Sequence, residues 1–518
     1  MTTPKTLAAA LAAALLLAFA PAAGAATTPT RDVLYVGNNW EGTADVLDPY
    51  TFQRLARIDI IPDKAERLAE IQTDPERQAY FLAVREAVGE GHDQFVDDMF
   101  SSHDGRYLYV SRPSLADVVA FDLSTQKIVW RVKVDGNRAD HMGISPDGTR
   151  LLVSASTAKV VDVIDTAQGK IVARIPSGDQ PHESNYSRDG KLIYHASIGT
   201  VFTPLDDPAM DAAKGDRVFE IIDAKTYKVL KTLNMGQKLA EFGRPGMSAA
   251  VRPMALAPDE KQVYFQVSFF HGFVEYDFAA DKVTRVAELP ISEAAASKRR
   301  DEYLLDSAHH GLSMSEDGKK LCVAGTMSDY AAIVRRDTFA TKIATTGTKP
   351  YWSTNSGDGK YCFVSFSGDD AVSVISYAEE REVARIPVGD HPQRMRMGKL
   401  ADRLLGTPAI TAQPGGPAGG GGKATGARKP KLRVSVRPRR ALAKRPLRIR
   451  VRVTARRGGR SVPVRGVRVS LAGVHARTNR RGRAVLRKRY GFDRARGYRV
   501  RASRKGYRNG SARLLARR

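Results

Sequence analysis

The chain is predicted to be all-β: a seven-bladed β-propeller followed by a small β-sandwich, with a helical insertion on the propeller's top face. Three observations predict this. A polar turn followed by an apolar strand recurs, as in Ser145-Pro146-Asp147-Gly148 with Leu151-Leu152-Val153-Ser154, and adjacent uninterrupted copies lie 43, 42 and 41 residues apart. That interval is the length of a four-stranded blade, roughly 40 to 45 residues. Each copy also has a second half in which an alternating strand meets an acidic turn, as in Val161-Asp162-Val163-Ile164-Asp165; period-two alternation is the mark of half-buried β-structure. Beyond a glycine-rich stretch, strands alternate apolar and basic residues.

Residues 1–26 carry Lys5, an apolar run from Leu7 to Ala20, then Pro21 and Ala23-Gly24-Ala25-Ala26. This pattern predicts a secretory signal peptide cleaved after Ala25 or Ala26. The run is too short for a membrane span, which needs about 20 residues. No cysteine near the cleavage point offers a lipid attachment, so the mature protein is expected to be secreted, extracellular or associated with the cell envelope.

The charges are segregated. The whole chain has 82 Lys+Arg against 56 Asp+Glu, a net +26. Residues 428–518 hold 34 Lys+Arg and one acid, Asp493, for a local +33; +26 minus +33 leaves −7 for the rest. An acidic protein is joined to a very basic one.

Turn copies begin at Ser102, Ser145, Ser187, Ala257, Ser315 and Ser356, and the second-half turns at Asp48, Asp122, Asp165, Asp223, Asp277, Asp337 and Ser376 count to seven. The first copy enters directly at Val33-Leu34-Tyr35-Val36. Its missing inner strand is supplied by His391–Met397 at the other end, so the two ends are expected to pair in one blade and leave no free sheet edge.

Over roughly residues 31–405 the sequence resembles the YVTN-repeat (YncE-like) β-propellers. Tyr35-Val36-Gly37-Asn38 matches three of the four residues that name the family, and the other copies keep the Tyr-Val or a similar pair without the Asn. The resemblance implies a fold and no single activity.

In a propeller, loops leading into inner strands and loops between second and third strands share one face, the top. Insertions at 62–98, about 200–217, about 235–250 and 292–306 all belong there, which marks it as the binding face. The largest is predicted to be helical: Asp63–Ile71 forms one helix and Asp74-Pro75, an N-cap with proline at the first helical position, opens a second through Val88. It is placed to act as a lid.

Histidines gather on the same face. His141, His182, His310 and His391 stand at the starts of inner strands, with His309 beside His310 and His92 in the lid; Asp97, Asp98, Asp140, Arg252, Tyr351 and Trp352 take equivalent positions. Converging imidazoles suit a soft or borderline metal, copper first and zinc next, with His141, His182, His309, His310 and His391 as candidate ligands. Two other readings stay open. The histidines hydrogen-bond neighbouring blades, or the face holds an organic or anionic ligand through Asp98, His141, His182, Arg252, His310, Tyr351, Trp352, His391 and Arg394. The acidic pairs Asp369-Asp370 and Asp206-Asp207 read as solvated turns.

Catalytic patterns are scarce: there is no Gly-x-Ser-x-Gly elbow, phosphate loop, His-Glu-x-x-His or Cys-x-x-Cys, so no catalytic residue is named and no cofactor is expected beyond candidate copper. The sequence therefore reads as a non-enzymatic binding or scaffold protein, with a copper-dependent oxidoreductase as the competing class. Cys322 and Cys362 fall on second strands of consecutive blades, in adjacent columns of the repeat. A bond between blades is geometrically open in an oxidising compartment, as are two buried thiols.

Pro414–Gly422 sits in a flexible linker, residues 406–428. Residues 429–518 then show Leu432–Val436, Leu447–Val453 and Val467–Leu471 as half-buried strands. With the Thr478-Asn479 turn and the Tyr498 strand they resemble a bacterial immunoglobulin-like or carboxypeptidase-regulatory-like β-sandwich. Such a basic unit is expected to tether the chain to a cell-envelope polyanion or protein partner without specific nucleic-acid recognition, since aromatic residues (Tyr490, Phe492, Tyr498, Tyr507) are too few for base stacking. An arginine-rich composition without selection for binding accounts for the same charge.

Overall fold

Five short turns set the repeat. In Ser145–Gly148, Ser145 Oγ donates to Asp147 Oδ1 at 2.5 Å, and the backbone N–H groups of Thr149 and Arg150 are accepted by Asp147 Oδ1 and Ser145 Oγ at 3.0 Å each. The serine and aspartate thereby replace the hydrogen bonds the reversing backbone loses. The same bonds recur from Ser102, Ser187, Ser315 and Ser356. Gly148 sits at φ +74°, where a side chain is strained.

The computed structural model describes residues 29–201, 208–407, 432–438, 440–442, 447–457, 460–471, 474–488, 497–504 and 510–517. The expected signal peptide, most of the linker, Asp206-Asp207, Tyr490, Phe492 and Tyr507 lie outside them. Among the described residues no helix is long and apolar enough to cross a membrane. The chain divides into two compact units, Met1–Gly419 and Gly420–Arg518.

The first unit holds seven four-stranded antiparallel sheets. In blade 1 the inner strand is Pro392–Ala401 and the next three are Thr30–Asn38, Thr43–Leu47 and Arg54–Asp59. Leu34 pairs with Met397 and Val33 with Gly398, so the two ends of the propeller share one sheet. Blades 2 to 7 follow in chain order, with inner strands Met99–Ser101, Ala139–Ile144, Pro181–Tyr186, Val251–Leu256, Leu312–Met314 and Pro350–Asn355. Apolar side chains fill the space between blades; Tyr35, Val46, Leu108, Val110 and Leu400 form one such layer between blades 1 and 2.

Cys322 and Cys362 are bonded across the interface of blades 6 and 7, with Cα atoms 6.5 Å apart. Both lie on second strands, Lys320–Gly325 and Tyr361–Phe366. Adjacent blades stack with opposite faces in contact, so adjacent columns of the repeat meet there. Of the two states the sequence leaves open, this is the bridge.

The second unit is a two-layer β-sandwich. One sheet contains Leu432–Arg437, Leu447–Arg457, Arg460–Pro463 and Arg483–Lys488; the other contains Arg440–Leu442, Arg468–Leu471, Val474–Arg477, Gly497–Ser503 and Gly510–Arg517. Leu432, Val436, Ile449, Val451, Val469, Leu486, Val500 and Leu514 close between them.

Replacing both cysteines by alanine is expected to lower unfolding free energy by about 2 to 4 kcal/mol, the range for a loop of this size, since the bond spans 40 residues. Urea denaturation of the double variant beside the oxidised parent measures it.

Candidate functional site

The inner strands do not run straight to the top of the channel. Their pairing slips between Ala139 and Met142, Pro181 and Glu183, Val251 and Met254, and Pro350 and Ser353. A bulge re-aims the side chains it contains. Here it turns His141, His182, Arg252 and Tyr351 into one cavity of about 40 Å³, joined by Asp97, His310 and Arg394 from the remaining blades.

His141, His182 and His310 converge. One ring nitrogen from each lies within 4.8 Å of the others. Ring centroids are 3.8 Å apart for His141–His182, 6.2 Å for His141–His310 and 5.9 Å for His182–His310. Tyr351 stacks on His310 at 4.0 Å. All three histidines are buried and the Nδ1 of each has no hydrogen-bond partner. Burial holds all three well below the usual histidine pKa, and the Arg394 charge pushes the same way. They are neutral at physiological pH, the state a metal needs.

His195 is the internal comparison. It is equally buried, yet Ser177 Oγ lies 2.7 Å from its Nε2 and Ser184 Oγ 2.9 Å from its Nδ1. His195 thus has both nitrogens occupied, whereas the three at the channel mouth leave Nδ1 unpartnered, as do His271 and His309 outside the cavity.

Arg252 is hydrogen-bonded, whereas Nε and Nη1 of Arg394 have no hydrogen-bond partner. Arg394 lies 3.3 Å from Asp97 and 4.7 Å over the Trp352 ring, while Arg252 donates to Ser268 Oγ at 3.1 Å and to the Leu305 carbonyl. Burial raises Asp97 to about 7 against the pull of Arg394. Asp140 accepts from Ser156 Oγ at 3.0 Å and stands 3.8 Å from His141 Nε2; with Asp97 and His141 it forms a second group able to hold a cation.

The insertion covers this cavity. Helices α1 (Lys64–Gln72) and α2 (Pro75–Ala87) form as the sequence predicts, and Asp74 caps α2 by accepting the Arg77 N–H at 3.1 Å. Fully buried Arg112 ties the insertion to blade 2, donating to Asp117 at 2.7 and 2.8 Å and to Asp63 at 2.6 and 3.1 Å. Tyr80, Val88 and Gln94 then line the cavity, as do Ile198, Val201 and Leu305 at the edges of two other insertions. None of these six is a position the repeat alone singles out.

Four expected site residues lie elsewhere. His391 sits at φ +58° and stacks on Trp40 at 3.6 Å, with His92 on the other face of the indole at 3.9 Å; the turned backbone carries it out of the channel. His309 precedes His310 and points the opposite way, to within 5.7 Å of His271 and beside Tyr330. Asp98 is buried beneath the cavity, where Arg396 donates to it at 2.8 and 2.7 Å. Trp352 stands under the histidines, 6.1 Å from His141, as a platform for Arg394 and Arg396.

Fold and site together define a seven-bladed propeller with a histidine cluster at the top of its channel. No family model matches the chain. Among curated proteins it is similar to "Uncharacterized protein YncE" of Salmonella typhimurium, 27% identical over 175 residues, 33% of this chain. The chain spans 41% of that relative's length. This likeness supports a YncE-like β-propeller. Among solved structures, one chain of Kuenenia stuttgartiensis hydrazine synthase superposes with a TM-score of 0.47 at 18% identity, covering 67% of this chain and 92% of that one.

A histidine whose pKa is depressed by folding binds its proton more readily when unfolded, so stability is lost as pH falls below about 6.5. His195, held at about 4 by burial, contributes alongside the three cavity histidines. Urea midpoints are expected to fall steeply between pH 7 and pH 5, the loss approaching about 1.4 kcal/mol per pH unit for each such histidine. In a His195→Gln variant the fall should be shallower by about one histidine's share.

Proposed function

We propose that this is an exported, non-enzymatic binding protein whose propeller holds one soft or borderline transition-metal ion between His141, His182 and His310, with the basic unit tethering it to a polyanion. The observation that carries the metal reading is the convergence of three buried, neutral imidazoles, each with an unpartnered Nδ1, on a cavity of about 40 Å³.

Cavity size disfavours an organic ligand. Organic-ligand pockets run to roughly 300–1,000 Å³, so this cavity takes an ion and little more. Arg252 is engaged by Ser268 and Leu305, while Arg394 faces Asp97 with Nε and Nη1 unpartnered, so a small anion is the reading that competes with a metal. Among first-row divalent ions, nitrogen sites favour copper over zinc. Export is supported by the pattern of residues 1–26.

Protein purified without a histidine tag and equilibrated with copper or zinc is expected to retain one ion per chain by mass spectrometry of the metal content. His141→Ala with His310→Ala should weaken retention by more than about 100-fold, beyond the 10–100-fold loss typical of disturbing groups around a ligand, and His103→Ala should leave it unchanged. Absence of a retained ion in the parent, or equal retention by the double variant, overturns the reading.

A further inference from the structure

We infer that the outer face of the sandwich sheet built from Leu432–Arg437, Leu447–Arg457, Arg460–Pro463 and Arg483–Lys488 is the surface that engages the polyanion, and that its ligand is a single linear chain of phosphate groups. The inference rests on the reading of the basic unit as a tether and locates that function on one face.

Alternation fixes where the charges point. Leu432, Val436, Ile449, Val451, Ala484 and Leu486 are buried in the core, so the arginines between them are exposed on the opposite face. The register sets them directly opposite one another: Arg437 faces Arg450, Arg452 faces Arg483 and Arg448 faces Arg487. Directly opposed like charges destabilise a sheet, and residues 432–488 contain no Asp or Glu to offset them. The other sheet has two such pairs among the described residues, Arg468 with Arg477 and Arg499 with Arg513, and sets Arg501 between Ser470 and Ser511.

Spacing and side-chain chemistry select the ligand. Same-face residues recur about every 6.8 Å along a strand, and strands lie about 4.8 Å apart, so Arg448, Arg450 and Arg452 form a central row in which each has one guanidinium opposite it, from Arg487, Arg437 and Arg483 in turn. A linear polymer laid along that row meets paired guanidinium forks at each step, and each fork suits a phosphate. Many weak contacts on one chain add where separate anions would not. Among the described residues, the only large apolar side chain exposed on this face is Val485. Among those residues no aromatic ring offers bases a platform and no apolar cluster is set to enter a bilayer.

The test uses the full chain and inorganic polyphosphate as probe. Two variants of equal charge are compared: Arg450→Ser, Arg452→Ser, Arg483→Ser on this face, and Arg499→Ser, Arg501→Ser, Arg513→Ser on the other. The first is expected to weaken binding at least tenfold near 0.15 M salt and to reduce the salt slope by about two, at roughly 0.7 per lost phosphate contact. The second should stay within about threefold of the parent. Should the serine variant unfold, Arg448→Gln with Arg487→Gln against Arg499→Gln with Arg513→Gln makes the same comparison. Equal weakening in both, or none in either, overturns the assignment to this face and leaves the tether standing. Failure of the parent chain to bind polyphosphate near 0.15 M salt overturns the tether as well. Tighter binding to phosphatidylglycerol vesicles than to polyphosphate, lost in the first variant, overturns the choice of ligand.

Discussion

Everything at the top of the channel depends on one antiparallel pairing, Pro392–Ala401 with Thr30–Asn38. Residues more than 350 positions apart close the ring, as the Arg31–Leu400 and Leu34–Met397 pairs show. Without that pairing both end strands would present unpaired N–H and C=O groups, and the blades carrying His141, His182 and His310 would have no fixed mutual distance. The seam is close-packed: Ala401 donates to the Gly105 carbonyl at 3.1 Å, and a Cβ on Gly105 would stand 2.4 Å from the Ala401 nitrogen. A glycine is needed there both for its φ of +64° and for the approach of the closing strand.

Closure also explains how the fold tolerates so much buried charge. Asp97 and Asp98 of blade 2 face Arg394 and Arg396, which arrive on the closing strand from the far end of the chain. Each ion depends on the other for compensation, since removing one partner leaves a buried charge unpaired. In the propeller Arg112, Arg252 and Arg394 are buried against carboxylates, carbonyls and Trp352; among the described residues of the sandwich, exposed arginines stand with no acid beside them. Equal residue types therefore do opposite work in the two units.

The fold was legible because propeller blades repeat. Each Ser-x-Asp-Gly turn and each acidic second-half turn leaves a mark at a fixed interval, and the register of blade 1 follows from counting them. His141, His182 and His310 were legible for the same reason, standing where inner strands begin. Position in the repeat does not set orientation, however. The left-handed backbone at His391 and the alternation between His309 and His310 turn those two rings elsewhere. The lid's contribution was hidden because Tyr80, Val88 and Gln94 reach the cavity through non-repeating packing, with Phe81, Ile71 and Phe95 seated against Leu115. The disulfide lay between these cases, since column and face allowed it without requiring it.

On the proposed reading, three inner strands, held in place by a closed ring, present three imidazoles to one ion. X-ray absorption spectroscopy of the copper- or zinc-loaded chain tests it most directly. The expected result is a first shell with about three imidazole nitrogens at roughly 2.0 Å and the outer-shell scattering of imidazole rings, lost together in a chain lacking His141 and His310. A shell dominated by oxygen, or an imidazole signal that survives removal of those two side chains, would contradict it.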